Sequence, residues 1–118
     1  MNIENVYEYC LAKKGVTEHF PFDKDTLVFK VADKMFALTS LQNWEAGNPS
    51  INLKCDPEKA LELRAKFEGI VEGYHMSKKH WNTIFINKDV PDRLILELIN
   101  DSYTLVWNSL PKKIRENW

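Results

Sequence analysis

The residues best suited to chemistry in this chain are concentrated in one short segment, residues 73–83. The segment carries two lysines, two histidines, a tyrosine and a tryptophan, namely Lys78, Lys79, His75, His80, Tyr74 and Trp81. No Asp or Glu occurs between Gly73 and Lys88, although acids slightly outnumber bases over the whole chain. Lysine ammonium groups contact phosphates as point charges. The segment therefore predicts a surface that meets anions.

Metal binding and nucleophilic catalysis find little support in the sequence. His75 and His80 do not have the i, i+4 spacing that places two ligands on one helix face, and no further Cys or His completes a zinc site. Cys55 alternates with Ile51 and Leu53, so its thiol is predicted to be buried and inert. The chain has no P-loop, no G-x-S-x-G and no G-x-G-x-x-G motif. We expect no enzymatic activity, no catalytic residue, no metal site and no cofactor.

The same segment carries a resemblance to a known family. The string Tyr-His-Met-x-Lys-Lys-His-Trp-Asn-Thr, residues 74–83, resembles the signature of the MmcQ/YjbR family. Three further pieces match in order, at residues 20–22, 34–37 and 53–58, and residues 101–106 are similar to the family's C-terminal helix. The resemblance therefore covers nearly the whole chain.

The resemblance implies both a fold and a role. The fold is α+β and frataxin-like (CyaY-like), with an antiparallel sheet and helices packed on one face. The role is DNA binding through two hairpin wings, here residues 26–41 and the edge formed by residues 73–86. The motif positions carry over to Lys34, Lys54, Tyr74, His75, Lys78, Lys79, His80 and Trp81, and all of these except Trp81 are implied as nucleic-acid-binding residues. This chain departs from the family at Asp33, where the family often has Gly. The Asp33 carboxylate weakens the implied DNA-binding role, because a carboxylate repels phosphate.

Two other uses of the chain stay open at this point. The first is binding of a protein or a small anionic ligand, with no DNA role. A small domain with one basic face suits this function about as well as it suits binding of duplex DNA. The salt dependence of binding to duplex DNA discriminates between them. Metal delivery of the frataxin type ranks last, because Glu4, Glu8 and Asp56 are too sparse for an acidic ridge.

The positions of these residues depend on predicted strands and on a hairpin. Alternation predicts strands at residues 26–31, 34–41, 50–55 and 81–86, with a tight turn at Ala32–Asp33 and a polar loop at residues 42–50. In the second strand the pattern places Met35 and Ala37 on one face and Phe36 and Leu38 on the other. Short connections between consecutive strands favour an antiparallel sheet.

Three helices complete the prediction. The first runs over residues 3–11 behind the cap Asn2, and the second begins at Asp56–Pro57 and ends at Gly69. Asp89 is predicted to cap the third, which Pro111 ends. We expect Trp81, Phe29 and Leu98 to pack together between sheet and helix, because each lies on an apolar stripe.

Composition limits the class of protein. The 118 residues suit one domain spanning 1–118, with 44% hydrophobic and 28% charged residues and a net charge of −1. That charge argues against a nonspecific nucleic-acid coat protein. No apolar run is long enough for a membrane helix and the N-terminus lacks a signal-peptide pattern, so we expect a cytoplasmic protein with no membrane partner. Cys10 and Cys55 are expected to be reduced core thiols.

Overall fold

The computed structural model describes all of residues 1–118. It contains six strands, β1 Val16–His19, β2 Thr26–Val31, β3 Lys34–Ser40, β4 Ser50–Lys54, β5 Ile70–Glu72 and β6 Trp81–Phe85. Its five helices are α1 Ile3–Leu11, α2 Leu41–Glu45, α3 Pro57–Lys66, α4 Asp92–Ser109 and α5 Lys112–Arg115. The strands form one antiparallel sheet in the order β1-β2-β3-β4-β6-β5. The predicted α+β class with an antiparallel sheet is confirmed. No helix combines the length and the apolar composition that a bilayer span requires.

The main core lies between the sheet and the helices. Alternate residues of the strands, such as Phe29 and Ile51, meet Val6 of α1 and Ile95 and Ile99 of α4, and all five are fully buried. Ala60 and Leu63 of α3 join the same cluster. Because one continuous core contains residues of all three helices, these helices cover a single face of the sheet. We call the opposite face of the sheet the open face. None of these three helices packs against it.

A second, smaller cluster lies on the open face. It consists of Val28, Leu38 and Trp81, with Met35 and Met76 packed against them. Trp81 is 8% exposed and stands opposite Lys54 in the β4–β6 register. The predicted contact of Trp81 with Phe29 and Leu98 is therefore wrong, since both of those residues belong to the main core. Alternation along a strand separates its two faces but does not show which of them meets the helices.

A β-bulge interrupts the alternation of β3. Phe29 pairs with Ala37 and Lys30 pairs with Met35, so Phe36 is the extra residue. Phe36 and Ala37 consequently both enter the main core, whereas Met35 and Leu38 pack on the open face. The predicted faces of Phe36 and Met35 were wrong for this reason.

A buried serine of α4 bridges the strands beside the bulge. The Ser102 hydroxyl donates to the carbonyl of Phe36 at 2.6 Å and accepts the N–H of Lys54 at 2.8 Å. Ser102 is fully buried. Its side chain therefore supplies hydrogen bonds to backbone groups of β3 and β4 that would otherwise lie unpaired in the interior.

The helix starts follow local chemistry in two cases and not in the third. Asn2 caps α1 in a capping box with Asn5, and Asp56 caps α3 with Pro57 at the first helical position, as predicted. Asp89 does not cap α4. Its carboxylate accepts the N–H groups of Glu68 and Gly69, both at 2.7 Å, and α4 begins at Asp92. The end of α3 also comes earlier than predicted, at Lys66.

Three short elements were not predicted from the sequence. Strands β1 and β5 form the two edges of the sheet, each paired with one neighbour. Helix α2 begins at Leu41, which was predicted to end the strand, and continues into the predicted polar loop. There the Asp25 carboxylate accepts the N–H of Gln42 at 2.6 Å and the indole of Trp44 donates to Thr39 at 2.8 Å. Such contacts stabilise a helix too short to form alone.

Candidate functional site

The strand register places both hairpin loops at one end of the sheet. Val31 pairs with Lys34 across the β2–β3 turn, and Lys54, the last residue of β4, pairs with Trp81, the first residue of β6. Ala37 of β3 pairs with Leu53. The β2–β3 turn, the end of β4 and the loop between β5 and β6 therefore lie side by side. Since neighbouring strands lie about 4.8 Å apart, β3 and β6 are separated by roughly 10 Å.

Five of the seven residues predicted from the sequence lie at this end. They are Lys34, Lys54, Lys78, Lys79 and His80, and we call their location the basic end. Lys34 follows a turn in which Ala32 and Asp33 have φ angles of 47° and 65°. Both left-handed residues fit a type I′ hairpin turn, so the predicted turn is confirmed. Asp33 places a carboxylate at the basic end, as expected.

The loop of residues 73–80 is held by backbone hydrogen bonds. The N–H of Gly73 donates to Trp81 at 2.9 Å, and the N–H of Trp81 donates to Ser77 at 2.9 Å. A Cβ atom on Gly73 would lie 2.7 Å from the Cβ of Trp81, so only glycine fits without movement. The Arg64 guanidinium on α3 donates to the carbonyl of Lys78 at 3.0 Å. Arg64 was not singled out from the sequence, and its position in the last turn of α3 offered no signal of this contact.

The charge at the basic end is only partly compensated. The Lys78 ammonium lies 3.4 Å from the Glu72 carboxylate, and both side chains are largely exposed. Lys34, Lys54 and Lys79 form no ion pair. The basic end therefore offers three unpaired lysines, next to one paired lysine and His80.

The other two predicted residues, Tyr74 and His75, lie in a groove on the open face. The groove has a volume of about 660 Å³. Its walls include Phe22, Val71, Tyr74, His75, Met76 and Phe85, and Thr39, Ser50, Asn52 and Thr83 also line it. Tyr74 is 71% exposed, and its ring centroid is 4.1 Å from that of His75. The structure thus divides the predicted residues between two neighbouring places.

Hydrogen bonds fix the polar groups of the groove. The Thr83 hydroxyl accepts the N–H of Tyr74 at 2.9 Å and donates to the Oδ1 atom of Asn52. Because Oδ1 of Asn52 faces Thr83, its Nδ2 donors stay free for another partner.

The lining of the groove also includes two acidic residues, which the sequence did not reveal. The Asp23 carboxylate accepts the N–H groups of Thr26 and Asp25, at 2.6 and 2.9 Å. These hydrogen bonds, with Thr26 the stronger cause, lower the pKa of Asp23. Asp23 and Glu72 both line the groove. An anion inside the groove would meet two carboxylates.

Neither cysteine offers a reactive thiolate. Both are free and buried, as predicted. Burial raises the pKa of the Cys10 thiol to about 12, and burial also raises the pKa of Cys55. Cys55 lines a second cavity of about 270 Å³ between α3, α4 and the sheet, in which Oδ1 of Asn82 has no hydrogen-bond partner. No cluster of three or more His, Cys, Asp or Glu side chains has the geometry of a metal site.

Comparison with known proteins agrees with the signature at residues 74–83. The family model described as YjbR matches residues 11–105. The chain belongs to the YjbR family. Among its YjbR relatives, YjbR of Escherichia coli K12 is 32% identical over 117 residues, which are 98% of this chain and 96% of the relative. YbdF of Escherichia coli O157:H7 is 40% identical over 94 residues, which are 80% of this chain and 75% of the relative. Both relatives are described as uncharacterized.

Solved structures share the fold of this YjbR chain. The crystal structure of Deinococcus radiodurans protein DR2400, with a domain of family DUF419, superposes with a TM-score of 0.90 at 36% identity and covers 98% of this chain and 86% of its own. A crystal structure of a Pseudomonas syringae protein gives a TM-score of 0.75 at 30% identity, over 90% and 99% of the two chains. These likenesses support the family and the fold, while the frataxin-like resemblance stays a prediction.

Proposed function

We propose that this YjbR-family protein binds duplex DNA weakly, through phosphate contacts at the basic end and without catalysing a reaction. The observation that carries the proposal is the position of the two hairpin loops at one end of the sheet, with Lys54 between them. This arrangement is consistent with the two wings that the family resemblance implies.

The expected affinity is low, because few cations are available. Lys34, Lys54 and Lys79 are unpaired, whereas Lys78 already contacts Glu72 at 3.4 Å. Each neutralised phosphate contributes about −0.9 to the slope of log K against log salt, so three contacts predict a slope of roughly −3. Asp33 reduces the attraction further, since a carboxylate near phosphate is repulsive.

Hydrogen bonds hold the loop of residues 73–80 in the conformation that places its lysines at the basic end. The hydrogen bond from Arg64 to the Lys78 carbonyl ties the loop to α3. A loop that is already ordered loses less conformational entropy when it binds, so its lysines contact phosphates at lower cost.

The test is a titration of labelled duplex with the parent and with the double variant Lys78→Glu/Lys79→Glu, at low and moderate salt. The variant should lose binding and stay folded, because exposed lysines contribute little stability. The matched control is Lys66→Glu/Lys113→Glu, which makes the same charge change at two exposed lysines carried by α3 and α5. The control should retain most of the binding.

Two results would count against DNA binding. One is a parent that does not bind duplex at low salt. The other is equal weakening by both double variants, since that would assign the effect to net charge rather than to the basic end. In either case a binding module for a protein or a small ligand becomes the better function.

A further inference from the structure

The groove on the open face has the walls of a site for a flat, unsaturated ring. Phe22 is 63% exposed and Tyr74 is 71% exposed, and Phe85 lines the same groove. Exposed apolar side chains that form one patch often mark a binding surface, whereas single scattered ones are ordinary. Aromatic rings offered to solvent stack well on bases, whose faces are all π systems.

The backbone is constrained at Tyr74 and His75. His75 has a φ angle of 58°, a conformation that is rare outside glycine, and its ring lies against Tyr74. The N–H of Tyr74 is anchored on Thr83 at 2.9 Å. Such strained residues cluster at ligand-binding sites, where neighbouring contacts fix them.

The polar groups of the groove suit the edge of a ring that both donates and accepts hydrogen bonds. Asn52 keeps its Nδ2 donors free because Thr83 occupies its Oδ1. The hydroxyl of Ser50 and the side-chain amide of Asn43 also line the groove, and neither makes a hydrogen bond within the protein. A few donors and acceptors left free for a ligand among apolar walls are typical of small-ligand sites of 300–1,000 Å³, roughly the range of this groove.

The charges decide between a neutral and an anionic occupant. Asp23 and Glu72 line the groove, and the hydrogen bonds to Asp23 hold its carboxylate in place. Glu72 is paired with Lys78 at 3.4 Å, so Asp23, which forms no ion pair, is the main source of repulsion for a phosphate inside the groove. A neutral heterocycle would not be repelled. Lys78, next to Glu72, lies in the loop that continues from the groove to the basic end.

We propose that the open-face groove binds one unpaired nucleobase, stacked on Tyr74 and Phe22, with its edge on Asn52. The base comes either from a free nucleoside or from a single-stranded nucleic acid whose phosphates stay outside the groove. Paired bases are stacked inside a duplex and do not expose their faces, so this site is distinct from the phosphate contacts of the basic end.

The experiment compares short labelled single strands of equal length, one with thymine or adenine bases and one abasic throughout. Both strands carry the same phosphates. The strand with bases should bind at least ten-fold more tightly, and Tyr74→Ala or Phe22→Ala should remove most of that difference. Tyr74→Phe should retain it, because the ring remains. Equal binding of the two strands, or an unchanged preference in Tyr74→Ala, overturns the proposal.

A second arm separates the two sources of the base. Adenosine and cytidine are titrated into the protein, and the amide chemical shifts of Tyr74, Asn52 and Thr83 are followed. Shifts confined to the groove support a free nucleoside as ligand. No shift, together with a clear preference for strands with bases, assigns the site to single strands. No shift and no such preference overturns the proposal.

The substitution Asn52→Asp tests the edge of the base. It keeps the oxygen that accepts from Thr83 and replaces the free donor by an acceptor, so the preference among the bases should change while the stacking contribution remains. The outcome for duplex DNA is independent of these results. Loss of duplex binding in Lys78→Glu/Lys79→Glu tests only the basic end, and loss of base preference in Tyr74→Ala tests only the groove.

Discussion

Replacing the buried hydroxyl of Ser102 should destabilise the protein far more than a serine substitution on the same helix usually does. In Ser102→Ala, the Phe36 carbonyl loses a donor at 2.6 Å and the Lys54 N–H loses an acceptor at 2.8 Å. Ser102 is fully buried, so water does not replace the hydroxyl. An unsatisfied buried polar group costs about 1–3 kcal/mol. Partial closure of the gap between β3 and β4 would recover some of that cost, which leaves an expected loss of about 2–4 kcal/mol for the two groups.

Urea denaturation provides the assay for this prediction. With an m value of about 2 kcal/mol/M, in the middle of the usual range for urea, the midpoint should fall by roughly 1–2 M. Ser109→Ala is the control, because Ser109 bonds only to the Val106 carbonyl of its own helix and is exposed. That variant should lose no more than about 0.5 kcal/mol.

Hydrogen exchange adds a local measurement to the same comparison. The Lys54 amide should lose protection in Ser102→Ala and keep it in Ser109→Ala. A Ser102→Ala protein within 0.5 kcal/mol of the parent, with the Lys54 amide still protected, would refute the bridging role of the hydroxyl.

Two further predictions follow from burial. Trp81→Ala removes most of the small cluster on the open face and should cost about 3–5 kcal/mol in the free energy of unfolding, measured by denaturation. A melting temperature within a degree or two of the parent would show that this cluster contributes nothing. The pKa of Cys10 is raised from 9.0 to about 12 by burial, so the folded state holds this proton more tightly than the unfolded chain. The thiol adds no pH dependence below pH 9, and stability should fall by up to about 1.4 kcal/mol per pH unit between pH 9 and 12. Cys10→Ala should flatten that decline, and an identical decline in parent and variant would contradict the role of Cys10.

The sequence predicted features that depend on neighbouring residues alone. Asn2 and Asp56 cap their helices because a side-chain oxygen near a helix start finds the free N–H groups locally. The Ala32–Asp33 turn follows from two strands separated by two residues. Asp89 had the same local signal but bonds instead to Glu68 and Gly69, which lie about twenty residues away along the chain.

Features that depend on distant partners were missed or misplaced. Alternation along β6 places Trp81, Thr83 and Phe85 on one face, but only the packing of the helices decides which face of the sheet is covered. The bulge at Phe36 left no mark in the pattern of β3. For the site, the sequence named the lysines, while the β3–β4–β6 register placed Lys34 and Lys54 beside the loop that carries Lys79. Tyr74 and His75 lie in the groove, away from these lysines, because of the conformation of that loop.

The most direct test of DNA binding at the basic end is the salt dependence of duplex affinity for the parent, Lys79→Ala and Lys66→Ala. Three phosphate contacts predict a slope of log K against log salt of roughly −3 for the parent, and loss of one contact predicts roughly −2 for Lys79→Ala. Lys66→Ala should keep the slope of the parent. A parent slope near zero, or the same slope in Lys79→Ala as in the parent, would contradict phosphate binding at the basic end.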